Sequence, residues 1–188
     1  MDFREHIREL TEILSGLEAS LQPAWGEAVE AVCRCLKSGG KILAFGNGGS
    51  AAEAQHFVAE LVNKFLKKRP AIRAISLTTD TSILTSVGND LAFDRIFSRQ
   101  IEALGVAEDV ALALSTSGTS PNIVKAVETA RKMGLVTLAM TGLGGGALAG
   151  AVDHLLAVPS ANTPRIQEAH LFLLHRLALE IESRLFAE

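Results

Sequence analysis

The sequence predicts an α/β fold in which a parallel β-sheet is covered by helices on both faces, with two extra helices before it and one long helix after it. Three observations carry this expectation. Short apolar runs recur between residues 41 and 158, most of them bounded by glycine, serine or threonine clusters. Helical segments lie between most of these runs, and strands that alternate with helices imply right-handed crossovers and parallel pairing. The last stretch is apolar around most of its circumference, which requires burial on more than one side.

The first 37 residues read as two helices. Ile7, Leu10, Ile13, Leu14 and Leu17 recur at helical spacing in the first, and Ala28, Val32, Cys35 and Leu36 in the second, where Pro23 suits the first turn. After Gly39 and Gly40 the rhythm changes. Residues 41–45 form the first strand, and Gly46-Asn47-Gly48-Gly49-Ser50 leads into a helix running to about Lys64. Ser50 and Glu53 have the spacing of a capping box for that helix. Further strands are expected at 72–77, 110–114, 135–140 and 155–158. A final helix runs from Thr163, read as its cap, to about Leu185, with Pro164 in its first turn.

The chain has 188 residues, 48% hydrophobic and 21% charged, with a formal net charge of −3. That is enough for one domain, residues 1–188, with a substantial core. The same figures argue against disorder and against a general electrostatic grip on nucleic acid. The two cysteines, Cys33 and Cys35, stand two apart on a helix and do not face each other, so they read as free buried thiols of a reducing cytosol. Residues 133–152 lack charge over 20 positions, about the length of a membrane span, but contain six glycines and read as strand, turn and short helix. With charges in place of a signal peptide's apolar segment, the expectation is a cytoplasmic protein without membrane contact. The apolar girdle of the last helix points to a homo-oligomer.

Ligands of parallel sheets bind beyond the carboxyl ends of the strands, so the loops after the first and third strands are where chemistry is expected. In the first, glycines let the backbone approach a ligand with free amides. A plain strand-to-helix turn is the simpler alternative. Gly46-x-Gly48-x-x-Ala51 is also a weak dinucleotide fingerprint, without the acidic residue expected at the end of the next strand. In the second, Ser115-Thr116-Ser117-Gly118-Thr119-Ser120 precedes Pro121 at a helix start. Five hydroxyls at a helix N-terminus suit a phosphate, and capping uses only one of them, assigned to Ser120.

His56, Glu60 and Lys64 follow at successive i+4 positions, lining one helix face beside the first loop. His and Glu one turn apart chelate a divalent metal or work as an acid/base pair, while a solvated salt-bridge face is the bland alternative. On the last helix, Gln167 and His175 interrupt an apolar surface, and His170 reads as a satisfied core residue. His175 lies among Leu173, Leu174 and Leu177, where an unpaired ring is costly, so it needs a partner. Eight residues, about 12 Å of rise, separate Gln167 from His175. Both therefore reach one site only if fully extended, or from neighbouring subunits.

Gly46-Asn47-Gly48-Gly49-Ser50-Ala51-Ala52 with Gln55-His56-Phe57 and Glu60 resembles the bacterial phosphoheptose isomerases, a branch of the sugar isomerase (SIS) domain family. Gly88-Asn89-Asp90, Ser115-Thr116-Ser117-Gly118 with Ser120, and Arg165-Ile166-Gln167-Glu168 followed by His175 extend the likeness over nearly the whole chain. The resemblance implies a flavodoxin-like three-layer α/β sandwich, assembled as a homotetramer with sites between subunits and residues 1–37 in the interface. It implies one zinc per subunit, held by His56, Glu60, Gln167 and His175. It places the substrate phosphate on Ser115, Thr116, Ser117 and Ser120, and the sugar on Asn47, Gly48, Gly49, Ser50, Glu60, Asn89, Asp90 and Gln167.

The implied reaction converts sedoheptulose 7-phosphate to D-glycero-D-manno-heptose 7-phosphate, the entry to heptose for cell-surface polysaccharide. Glu60 is the expected base and His175 the opposing acid/base. Family members often carry Asn at Thr119 and Arg at Lys64, and some an acid at Pro164. Thr119 keeps a donor, Lys64 loses the planar fork of Arg, and Pro164 takes no acid/base role. The alternatives are a relative that binds a replication initiator and a sugar-phosphate sensor without turnover; the presence of Glu60 and His175 argues against the first.

Overall fold

In a computed structural model, which describes residues 2–186, five strands form one sheet: β1 (Ile42–Gly46), β2 (Ala74–Ser76), β3 (Val110–Ser115), β4 (Val136–Thr141) and β5 (His154–Ala157). Their order is β2-β1-β3-β4-β5 and every pairing is parallel. The helices are α1 (Phe3–Leu21), α2 (Ala24–Lys37), α3 (Gly49–Val62), α4 (Thr81–Asp90), α5 (Ser98–Leu104), α6 (Pro121–Lys132) and α7 (Thr163–Leu185). The predicted three-layer sandwich, with two leading helices and a long last one, is the observed architecture.

Alternate residues along each strand feed two separate cores. Ile42, Ala44, Val110, Leu112, Leu114, Leu138 and Met140 face one layer with Val32 of α2, Phe57 and Leu61 of α3, and Leu174 and Ile181 of α7. Leu43, Phe45, Ala111, Ala113 and Ala139 face the other, with Phe97, Ile101, Ile123 and Val127. Both faces are apolar because helices cover both, which is why the strands read as unbroken apolar runs. On the second face the alanines of β3 and β4 leave room for Ala126 and Ala130 of α6 to approach closely, while Phe45 of β1 fills against Phe97 at 5.5 Å between ring centroids. Fully burying a side chain such as Phe45 or Phe57 contributes roughly 1.5–3 kcal/mol.

Several element ends differ from expectation. The start of α3 falls at Gly48, whose φ of +55° puts it in the N-cap position. Ser50 and Glu53 therefore lie inside the helix and form no capping box. The same helix ends at Val62, so Lys64 stands beyond it and only His56 and Glu60 share the predicted stripe. Asn162, one residue before Thr163, occupies the N-cap of α7, and Pro23 stands immediately before α2 rather than in its first turn. Strand β2 is three residues long. Cys33 and Cys35 are free and buried, as expected. Residues 133–152 form the turn after α6, β4 and a glycine-rich turn, and among the described residues no helix is long and apolar enough to cross a membrane.

Candidate active site

Strand order makes β1 the turning point of the sheet: the chain leaves it for β2 on one side, and β3 pairs on its other side. Crossovers from β1 and β3 run to opposite faces, which opens a crevice at their carboxyl ends. The glycine loop after β1 and the hydroxyl loop after β3 flank it. Each begins a helix, α3 and α6, whose first amides have no acceptor within the helix. Two positive helix ends thus border one crevice, which favours an anion there.

The two loops are joined. Asn47 and Asn122 exchange amide hydrogen bonds in both directions, at 2.9 and 2.8 Å, across the crevice floor. Much of the Asn47 side chain is therefore spent on α6. Asn122 escaped the sequence reading because an asparagine in a first helical turn has an ordinary explanation as a turn former. Gly49 lies against Gln167 of α7: a Cβ there would stand 2.6 Å from Gln167 Nε2. Gly46 is equally confined, by the backbone of Ser50.

In the second loop, Ser115 Oγ accepts the Gly118 amide at 3.1 Å, and Ser117 Oγ accepts both the amide and the hydroxyl of Thr119. These bonds consume acceptor lone pairs and leave the serine hydroxyl hydrogens free to donate. Ser120 holds the N-cap position of α6 without making the side-chain cap assigned to it, so its hydroxyl is also free. The loop is shaped from behind by the turn after β4, where Gly142 N donates to Thr116 O and Leu148 N to Gly118 O. Gly118, at φ +64°, backs onto Gly145, and any Cβ would run into that residue's carbonyl. Gly118→Ala is therefore expected to lower the affinity for a sugar phosphate by about tenfold or more, given the 1–3 kcal/mol cost of a non-glycine residue held in such a conformation. Isothermal titration would show this, and unchanged affinity would separate loop shape from phosphate binding.

Helix α3 carries His56 and Glu60 from the glycine loop toward α7, which brings His175 to them. His56 Nε2 lies 2.8 Å from His175 Nε2 and 3.4 Å from Glu60 Oε1. One ligand atom from each of the three residues lies within 4.8 Å of the others. Two imidazole nitrogens this close share a proton or a cation. Phe65 stacks on His175, with centroids 5.6 Å apart and planes at 22°. His175 thus has the partner its apolar surroundings demanded. Gln167 stands with Gly49, two turns of α7 before His175, and Asn89 and Asp90 close α4, where Asn89 donates to Asp90 at 2.7 Å. Among the described residues neither of these two hydrogen-bonds to either loop.

His170 is only half satisfied. Its Nε2 pairs with Thr141 O at 3.1 Å, while its Nδ1 faces Glu53 Oε2 at 4.0 Å and both of those atoms lack hydrogen-bond partners. Burial lowers the ring to about 4, against a small opposing pull from the Thr141 bond. Burial raises the Glu53 carboxyl to about 7, with Ser50 drawing it partly back. Nothing local marks this pair, since 117 positions separate its members. A cleft of about 630 Å³ between α1, the start of α2 and α7, lined by Leu14, Trp25, Phe172 and Arg176, lies apart from the site, and none of the site residues borders it.

Residues 5–142 match the SIS domain family. The phosphoheptose isomerase of Citrifermentans bemidjiense is 47% identical over 188 residues, covering all of this chain and 98% of that protein. That of Campylobacter jejuni subsp. jejuni serotype O:6 is 48% identical over 183 residues, with 96% and 95% covered. Among solved structures, the phosphoheptose isomerase of Neisseria gonorrhoeae superposes with a TM-score of 0.90 at 43% identity, with 96% of each chain covered. The phosphoheptose isomerase from Francisella tularensis gives 0.89 at 38% identity and the same coverage. With this crevice, this sheet order and these relatives, the chain belongs to the SIS domain family, within its group of phosphoheptose isomerases, which are aldose–ketose isomerases.

Proposed function

We propose that the crevice binds a phosphorylated seven-carbon ketose and that Glu60 and His175 interconvert sedoheptulose 7-phosphate and D-glycero-D-manno-heptose 7-phosphate, supplying heptose for cell-surface polysaccharide. The observation that carries this reading is the meeting of His56 and Glu60, on the helix that starts at the glycine loop, with His175 of α7. The names of the relatives support the same substrate. The phosphate would rest on Ser115, Thr116, Ser117 and Ser120, whose free hydroxyl hydrogens suit it. The sugar would meet Asn47, Gly48, Gly49, Ser50 and Gln167, with Asn89 and Asp90.

In the forward direction the Glu60 carboxylate takes the C1 proton, and the freed electron pair forms the C1–C2 double bond of an enediol. His175 protonates the former C2 carbonyl oxygen and accepts the proton that leaves O1 as C1 becomes the aldehyde. Glu60 returns its proton to C2, so both side chains end as they began.

The residues fit zinc by their chemistry: two imidazoles and a carboxylate are its ligand types, and one donor atom from each lies within 4.8 Å of the others. His56, Glu60 and His175 would hold it, with Gln167 joining from a neighbouring subunit. When bound, such a cation supplies polarisation of the C2 carbonyl. A homotetramer with residues 1–37 in its interface is part of the proposal. It is supported by Phe3 and Ile7, which stay 77% and 52% exposed on the apolar stripe of α1.

The test is to incubate the purified chain with sedoheptulose 7-phosphate in D2O, with and without chelator, and follow the sugar by NMR. Formation of the aldose with deuterium at C2, slowed by chelator, is expected. A ketose that binds yet neither converts nor exchanges would make the protein a sensor instead.

A further inference from the structure

Beyond the C-terminal end of α3 the chain folds over a buried ion pair that the proposed chemistry does not use. Arg69 and Glu182 have side chains 1% and 0% exposed, with Arg69 Nε 2.9 Å from Glu182 Oε1. The carboxylate also accepts the amides of Phe65, Leu66 and Lys67, each at 2.9 Å. The guanidinium donates to Glu60 O at 2.7 Å, Leu61 O at 2.8 Å and Pro70 O at 2.9 Å. Burial pushes the Glu182 carboxyl up, but the amides of Lys67, Phe65 and Leu66 together with Arg69 outweigh it and hold the group below the ordinary range.

A buried pair of this kind is a poor stability device, because desolvating both charges offsets most of their attraction. Its partners point to another use. Arg69 ties down the carbonyl of Glu60 itself, one of the groups a helix end leaves without an acceptor role. Glu182 gathers the amides of a turn whose first member, Phe65, stacks on His175. One clasp therefore touches the backbone of the proposed base and the ring that packs on the proposed acid.

We propose that Arg69 and Glu182 are positioning residues for this site, acting through Phe65 on His175 and through the helix end on Glu60; this rests on the isomerase reading above. Lysine cannot replace Arg69, since one ammonium with three donors cannot span Glu182 Oε1 and three carbonyls at once. Misplacing a group held at this remove costs roughly 10-fold to 100-fold in activity or cation affinity.

The experiment compares Arg69→Lys, Glu182→Gln and Phe65→Leu with wild type, reading kcat, KM, the melting temperature and the His175 imidazole resonances by NMR. Phe65→Leu keeps the clasp and removes only the stack, which covers the case of a clasp variant that fails to fold. The expected result is kcat lowered about tenfold or more with KM within about twofold, and His175 resonances displaced in the same direction in every variant that folds. Full kcat at temperatures well below melting, or His175 resonances that do not move, would reduce the clasp to a structural pair and overturn the proposal. The NMR readout does not depend on turnover, so an inactive wild type would sink the isomerase reading while leaving the clasp on trial.

Discussion

Glu60→Gln loses on the order of 10³-fold in turnover while the chain keeps its fold, because general base catalysis contributes about 10²–10⁴-fold and the amide has no basic oxygen. The substitution is nearly isosteric, and the half-buried side chain still reaches His56, so packing between α3 and α7 is unchanged. Removing the carboxylate also takes one anionic ligand from the three-residue cluster, which lowers cation affinity in the same variant. Turnover of sedoheptulose 7-phosphate beside circular dichroism of the same sample separates the two outcomes. A variant that still isomerises at near-normal rate would move the base to another residue, and His175 would be the next to replace.

The second large effect concerns stability against pH, through Glu53 and His170. Burial lifts the Glu53 carboxyl from 4.5 to about 7, so the folded chain holds a proton that the unfolded chain has released between those values. Its contribution is fully present below pH 4.5 and is lost as pH rises through about 7, a change of about 3 kcal/mol. His170 works the other way: its folded value of about 4 lies below the ordinary 6.5, so acid costs stability over that window. The two slopes oppose each other from about pH 4.5 to 6.5, and above that the Glu53 loss continues alone.

Glu53→Gln cannot ionise and keeps the shape of the neutral acid. Relative to wild type, and with their offset at pH 4.5 subtracted, it gains stability through pH 5–7 and levels off near pH 8 at about 3 kcal/mol. Urea unfolding midpoints at a series of pH values measure this difference. Parallel curves for the two proteins would mean that Glu53 is ionised in the folded state throughout.

The sheet was legible because helices cover both of its faces, so each strand is an apolar run that stops where its loop turns to glycine or hydroxyl residues. His56 and Glu60 were legible from their spacing together with their place beside the glycine loop, and His175 from the cost of an unpaired ring among leucines. The start of α3 was not, because Gly48 takes a conformation open mainly to glycine and seizes the cap position two residues ahead of Ser50. Nor was the place of Lys64, since the chain after Val62 is held by Glu182, more than a hundred positions away. The Glu53–His170 contact and the Asn47–Asn122 bridge share that character: each joins ordinary residues whose meeting depends on how α3, α6 and α7 are set against the sheet.

Because the bridge between Asn47 and Asn122 is doubled, neither loop can swing away from the other without breaking two bonds together. With the phosphate on the loop after β3 and the sugar on the loop after β1, as proposed, the distance between the two seats would act as a fixed gauge. Phosphosugars shorter or longer by one carbon would then be measured against a rigid ruler, and on that proposal the two interlocked amides would contribute to selection by chain length.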